Sequence, residues 1–175
     1  FDAPRELVYR AHVEPELVAQ WMGPHSIGMD IGVWDIRTGG EYRYTATREG
    51  EEVAHFYGAV HRVEENERIV QTFEFDGYPG HVSLETLTLE DVDGGTLLRT
   101  ESVYGSVEAR DGMAQSGMEE GVNDGYERLE ELLALQTPAS DPAERFPDAD
   151  FVYLADQANA PYGGKTGEEI VALTK

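Results

Sequence analysis

The chain has 175 residues and a formal net charge of -22, from 35 acidic and 13 basic residues. This length suits one ordinary domain with an appendage, and so acidic a surface would repel a phosphate backbone or an anionic membrane. The absence of cysteine from the sequence excludes disulfides, iron–sulfur clusters, thiolate zinc sites and cysteine nucleophiles. No apolar run is long enough to span a membrane and the N-terminus has no signal-like core, so we expect a cytoplasmic protein without nucleic-acid or membrane partners.

The N-terminal residues predict an extended segment followed by two short helices. Phe1–Pro4 is typical of the end of a strand, and a proline suits the first turn of the helix that follows. Leu7, Val8 and Ala11 lie at helical spacing in that helix. Pro15 opens the second helix, which Gly23 and Pro24 end.

From Ile27 onward the pattern changes from helical spacing to alternation, which is typical of strands. Turn residues separate the alternating segments at short intervals, so consecutive strands are expected to pair as an antiparallel meander. The predicted strands are 29–37, 41–47, 52–63, 68–75, 82–90 and 96–103.

A long C-terminal helix is predicted over residues 109–135. Gly117, Gly121 and Gly125 recur every four residues and would form one row on this helix. Each glycine costs about 1 kcal/mol of helix stability relative to alanine, so a structural reason for the row is expected. Two interpretations are open: the row lets the sheet pack closely against the helix, or it forms the roof of a cavity.

Two short helices, six strands and one long helix predict an α+β helix-grip fold, in which a curved antiparallel sheet wraps around the long C-terminal helix. Aromatic residues at strand spacing, such as Tyr42 and Tyr44, share one sheet face. A plain core is the simpler interpretation of that face, but together with the glycine row it favours a cavity for a hydrophobic or aromatic ligand. The predicted ligand-binding residues are Trp34, Tyr42, Tyr44, Phe73, Phe75, Met118, Gly121, Val122 and Gly125.

No catalytic residue, metal site or cofactor is predicted. His55 and His61 lie on one predicted strand and could bind a metal with Glu85 as a third ligand, but a solvent-exposed pair is favoured. Arg99, Glu85 and Glu101 could act as general acids or bases inside a pocket, although charges on alternating strand positions usually face solvent.

Residues 1–136 are predicted to form the domain, with most of its first strand absent before Phe1, and residues 137–175 a linker and tail of unknown role. Prolines mark the linker, and 151–154 is a short β-prone run. An unpaired sheet edge attracts a strand, so this run could cover the edge in the same chain or in a second copy, which makes a homodimer possible.

The chain carries several short motifs in order: Phe1-Asp2-Ala3-Pro4, Trp21 with Gly23-Pro24, Asp35-Ile36-Arg37-Thr38-Gly39-Gly40-Glu41-Tyr42, Gly95-Thr96, and Gly117-Met118-Glu119-Glu120-Gly121 running to Leu129. This series resembles the Activator of Hsp90 ATPase homologue-type family, within the SRPBCC group of START-like and birch-pollen-allergen-like domains. The resemblance implies a seven-stranded antiparallel sheet around a hydrophobic cavity, with two short helices between strands 1 and 2.

The preferred hypothesis is a protein that binds a small hydrophobic ligand and is not an enzyme. Two alternatives follow from the resemblance: a co-chaperone that stimulates the Hsp90 ATPase, and an enzyme of the polyketide cyclase or aromatase type. One scaffold hosts many functions, so the fold alone does not choose among them.

Overall fold

A computed structural model describes residues 1–136 of the protein, and these contain the predicted strands and helices in the predicted order. The predicted tail, 137–175, lies outside the described residues. The elements are α1 (Arg5–Val13), α2 (Pro15–Trp21), β1 (Gly28–Trp34), β2 (Glu41–Arg48), β3 (Glu51–Glu64), β4 (Arg68–Phe75), β5 (Ser83–Val92), β6 (Gly95–Tyr104), α3 (Val107–Gln115) and α4 (Met118–Gln136).

The six strands form one antiparallel sheet in which each strand pairs with its neighbours in the sequence. Three register shifts interrupt the pairing, one in β1, one at the β2–β3 pair and one between Val60 and Arg62 of β3. Such bulges bend a strand and increase its twist, and they give the sheet its curvature. The predicted α+β helix-grip fold is confirmed.

The first strand is shorter than predicted, because the chain turns immediately after Trp34. The backbone N–H of Asp35 donates to Glu41 O, and the N–H of Gly40 donates to Arg37 O, both within a tight loop. A side chain at Gly40 would lie 2.0 Å from Asp35 O, so only glycine fits this loop.

Residues 1–3 lie against the start of β6. The Thr96 N–H donates to Phe1 O and the Phe1 amino group donates to Thr96 O, each over 2.9 Å. The Thr96 hydroxyl donates to Ala3 O over 2.7 Å. A reciprocal pair of this kind joins antiparallel strands, so the N-terminal segment is held at the β6 edge of the sheet.

The prediction of a single helix over 109–135 is wrong, because the chain breaks at Ser116 and Gly117. The Ser116 hydroxyl donates to Met113 O over 2.7 Å and accepts from the Met118 N–H over 3.3 Å, so it joins the end of α3 to the start of α4. Gly117 has a φ of +79°, a left-handed conformation that favours glycine. The long C-terminal helix is therefore α4, with 19 residues.

The glycine row does not face the sheet, although both interpretations given for it from the sequence expected that it would. A side chain at Gly125 would lie 3.3 Å from Gly23 N, and one at Gly121 would lie 3.8 Å from Pro24 Cδ. Gly117 has open space around it. Gly121 and Gly125 therefore let α4 approach the loop that follows α2.

Hydrogen bonds fix the same loop to α4. The Arg128 guanidinium donates to three carbonyl oxygens: Gln20 O at 2.6 Å, Gly23 O at 2.9 Å and Pro24 O at 3.3 Å. The closest backbone approaches of α4 are to α1, α2 and α3. Its Leu129 is fully buried in the core that α1 and α4 share with the sheet. No helix within residues 1–136 is long and apolar enough to cross a membrane.

Candidate functional site

A row of stacked aromatic rings crosses the inner face of the sheet, the face that contributes to the core. Tyr44, Phe56 and Phe75 are register partners on β2, β3 and β4. Their ring centroids are 4.9 Å apart for Tyr44 and Phe56 and 5.3 Å apart for Phe56 and Phe75, and Phe73 stacks on Phe56 at 5.5 Å. None of these four rings is fully buried, so the row presents apolar surface on the inner face of the fold.

Sequence reasoning missed Phe56, which lies at the centre of this row. Its same-face neighbours on β3 are Ala54 and Gly58, so it has no aromatic partner two residues away. Pairing with Tyr44 across the strands, which the pattern along one strand does not reveal, brings it into the row.

Trp34 and Tyr42 lie at one end of the row and are tied into the core. Tyr42 is 1% exposed, and its hydroxyl donates to Thr72 O over 2.8 Å. A side chain at Gly58 would lie 2.7 Å from the Tyr42 ring, so this glycine makes room for the tyrosine. The Trp34 indole N–H donates to His12 O over 3.2 Å. Both residues pack against Tyr44 and hold that end of the row against the core.

Three predominantly apolar side chains, Met118, Val122 and Tyr126, form a row spaced four residues apart on α4. The Tyr126 hydroxyl lies 3.4 Å from the Thr100 hydroxyl of β6, and its ring packs against Trp21 at 6.1 Å. Met118 and Val122 continue this row, and each is 41% exposed. Gly121 and Gly125 lie on the neighbouring face of α4, toward the loop that follows α2.

A polar cluster adjoins the aromatic row on the same face of the sheet. Glu85 of β5 has Gln71 of β4 and Ser102 of β6 as its register partners, and Ser83 precedes it by two residues. The Ser83 hydroxyl lies 3.4 Å from Glu85 Oε1. Burial raises the pKa of Glu85 above its usual range, although hydrogen bonds from Ser83, Gln71 and Ser102 oppose this shift.

Electrostatics connect this carboxyl group to the tyrosines of the row. Burial raises the pKa of Tyr44 above its usual range, and the negative charge of Glu85 raises it further. Burial is also the main cause of the raised pKa of Tyr42, with contributions from Tyr44 and Glu85. Both phenols are therefore neutral at neutral pH, and each keeps a proton that it can donate.

Of the three acid or base candidates named from the sequence, only Glu85 lies on the inner face. Arg99 and Glu101 are exposed on the outer face, and Arg99 forms an ion pair with Glu90 at 3.5 Å. His55 is also exposed, and its Nδ1 lies 3.1 Å from the hydroxyl of Thr45. Within residues 1–136, no group of three His, Cys, Asp or Glu side chains is placed to hold a metal ion.

A separate surface depression lies between α1, the β3–β4 turn and β5. Its two arginines are both in ion pairs, Arg5 with Asp91 at 3.1 Å and Arg68 with Glu64 at 2.9 Å. The depression is also lined by Glu67 and Glu90, so its acidic residues outnumber its two arginines and it does not attract an anion.

The sequence profile of the family described as Activator of Hsp90 ATPase homolog 1-like protein matches residues 2–134. The chain belongs to this family. A crystal structure of a Rhodobacter sphaeroides protein is 31% identical to it, covers 77% of this chain and 88% of its own, and has a TM-score of 0.72.

More distant solved structures share the fold. A Mycobacterium smegmatis protein, Ms6760, is 24% identical, with 80% of this chain and 88% of its own covered and a TM-score of 0.69. The AHSA1 protein of Silicibacter pomeroyi is 20% identical, with 78% and 94% covered and a TM-score of 0.63. Identities this low show the fold alone.

A short stretch of the chain also matches two glutamate racemases. The identity is 91% over 32 residues for the enzyme of Phenylobacterium zucineum and 81% over 31 residues for that of a Caulobacter species. Each match covers 18% of this chain and 11% of the racemase, so the chain spans only a small part of those enzymes.

Proposed function

We propose that this AHSA1-like protein binds an apolar or aromatic small molecule between the inner face of its sheet and α4. The observation that carries the proposal is the incomplete burial of the stacked rings of Tyr44, Phe56, Phe73 and Phe75. In a close-packed core, rings on an inner sheet face would be covered by the helix. The buried residues of α4 are Gly125, Leu129, Leu132 and Leu133, whereas Met118 and Val122, nearer its start, are each 41% exposed.

The chemistry of the surrounding side chains supports a site of this kind. Ligand sites are mostly apolar and aromatic, with a few polar groups that fix orientation. The aromatic row would form the floor, and Met118 and Val122 the opposite wall. Glu85, with the serines and the glutamine around it, would supply the polar groups at one end. A flexible thioether such as that of Met118 adapts to ligands of different shape.

Nile red, an uncharged dye whose fluorescence rises in apolar surroundings, tests this proposal. We expect wild-type protein to bind the dye with saturation. Val122→Trp should weaken binding at least about tenfold, because the larger side chain fills the space beside the aromatic row.

The matched control is Val103→Trp. Val103 is 54% exposed and lies on β6 opposite Leu84, on the outer face of the sheet. This variant makes the same chemical change away from the site and should bind the dye as the wild type does. Equal dye binding by all three proteins would overturn the proposal, as would a wild-type protein that binds no dye.

A further inference from the structure

Glu85 is the acidic side chain that the described fold places beside the aromatic row. Its register partners Gln71 and Ser102 flank it on the neighbouring strands. Phe73 and Ser83, two residues along from Gln71 and Glu85 on the same strands, form the next register pair on the inner face. Glu85 is therefore adjacent to a residue of the aromatic row.

Within residues 1–136, neutral donors but no cation satisfy this carboxyl group. Its hydrogen-bond partners are Ser83, Gln71 and Ser102, and no arginine, lysine or histidine forms an ion pair with it. Ion pairs do hold other carboxylates of the sheet, such as Glu64 and Glu90. A partly buried carboxylate without a cation is costly, and its position beside a candidate binding site indicates a partner from outside.

The charge of the whole chain favours the same kind of partner. With 35 acidic and 13 basic residues, the protein attracts cations and repels anions over a distance set by the salt concentration.

We infer that the ligand is a planar apolar molecule with a protonated amine, whose amine pairs with Glu85 while its body lies against Tyr44, Phe56 and Phe73. The inference rests on the proposed function, because it names the ligand class for the same proposed site between the sheet and α4. Burial alone disfavours the charged carboxylate, and an ammonium partner restores it. Charge-assisted hydrogen bonds from the ammonium group to the Glu85 carboxylate would fix the orientation of a flat ligand.

Three probes that share one ring system and differ in charge test the inference: 2-naphthylmethylamine, 2-naphthalenemethanol and 2-naphthoic acid. Their dissociation constants are measured by calorimetry at neutral pH with wild-type protein, Glu85→Gln and Glu101→Gln. Glu101→Gln is the matched control, since it removes the same charge from the outer face of the adjacent strand. Glutamine preserves the shape and hydrogen bonding of residue 85, and binding of the alcohol reports whether the groove is intact.

We expect wild-type protein to bind the amine about tenfold more tightly than the alcohol, and the acid most weakly. Glu85→Gln should reduce the affinity for the amine to that for the alcohol, whereas Glu101→Gln should keep the preference of about tenfold. An amine that binds no more tightly than the alcohol would overturn the inference and leave the proposed function intact. Equal loss in the two glutamine variants would also overturn it, because long-range charge would then explain the preference. Failure of all three probes to bind would refute the proposed function itself.

Discussion

Replacing His12 with asparagine should remove a large part of the acid sensitivity of folding. The His12 side chain is 9% exposed, its Nδ1–H donates to Val8 O over 2.7 Å, and its Nε2 is buried without a hydrogen-bond partner among the described residues. Burial lowers the pKa of His12 from 6.5 to about 4, although the hydrogen bond to Val8 opposes this shift.

The direction of the pH effect follows from the lowered pKa. The unfolded chain binds a proton at His12 below pH 6.5, whereas the folded protein does so only near pH 4. Stability from the neutral ring is therefore complete above pH 6.5 and is lost as the pH falls toward 4. Linkage with these two pKa values gives a loss of about 2 kcal/mol between about pH 8 and about pH 5.

Urea unfolding of wild type and His12→Asn at those two pH values measures this loss. The asparagine amide can replace the Nδ1 donor and does not titrate, while any cost of its smaller size cancels in the comparison between pH values. Wild type should lose about 2 kcal/mol more than the variant. His61→Asn, a control at an exposed position of β3, should lose as much stability between the two pH values as the wild type does. Equal losses in wild type and His12→Asn would show that the folded protein protonates His12 freely, which refutes the reasoning.

Four further substitutions test other contacts. Gly121→Ala should stabilise the fold by up to about 1 kcal/mol, because the added methyl would lie 3.8 Å from the nearest atom outside the helix. Gly125→Ala should gain less or destabilise, since its methyl would lie 3.3 Å from backbone; equal gains in thermal unfolding would show that α4 does not pack on the loop after α2. Arg128→Met should cost about 2 kcal/mol and speed hydrogen exchange in that loop, where three carbonyl oxygens lose their donors; unchanged exchange would contradict this. Glu85→Gln should stabilise the protein at neutral pH, because the raised pKa means that charging Glu85 opposes folding above its ordinary pKa of 4.5. That gain should shrink as the pH falls from the raised pKa of the folded protein toward 4.5, and a gain independent of pH would contradict the burial of the carboxyl group.

The sheet could be predicted from the sequence because alternation is a local signal. Tyr42 and Tyr44, or Phe73 and Phe75, share a face whatever strands lie beside them. The strand order followed as well, since short turns leave a meander as the simplest pairing. Phe56 could not be found in this way, because its membership of the row depends on pairing across strands.

The helix side of the site was harder to predict. Glycines at a spacing of four fit the face of a helix and also the left-handed residue that ends one, and Gly117 takes the second role. Helical periodicity shows that Gly121 and Gly125 share a face but does not show which element meets it. The inward direction of Glu85 likewise depends on its register with Gln71.

The most direct test of the central claim is an NMR titration of the protein with 2-naphthalenemethanol, observing aromatic side chains and methionine methyl groups. If the ligand lies between the sheet and α4, the largest shifts will be those of Tyr44, Phe56, Phe73 and Phe75, together with the methyl of Met118. Tyr57 lies on the outer face of β3, and Tyr78 is exposed in the turn after β4. Shifts confined to these two residues, or no saturable shifts at all, would contradict a binding site on the inner face of the sheet.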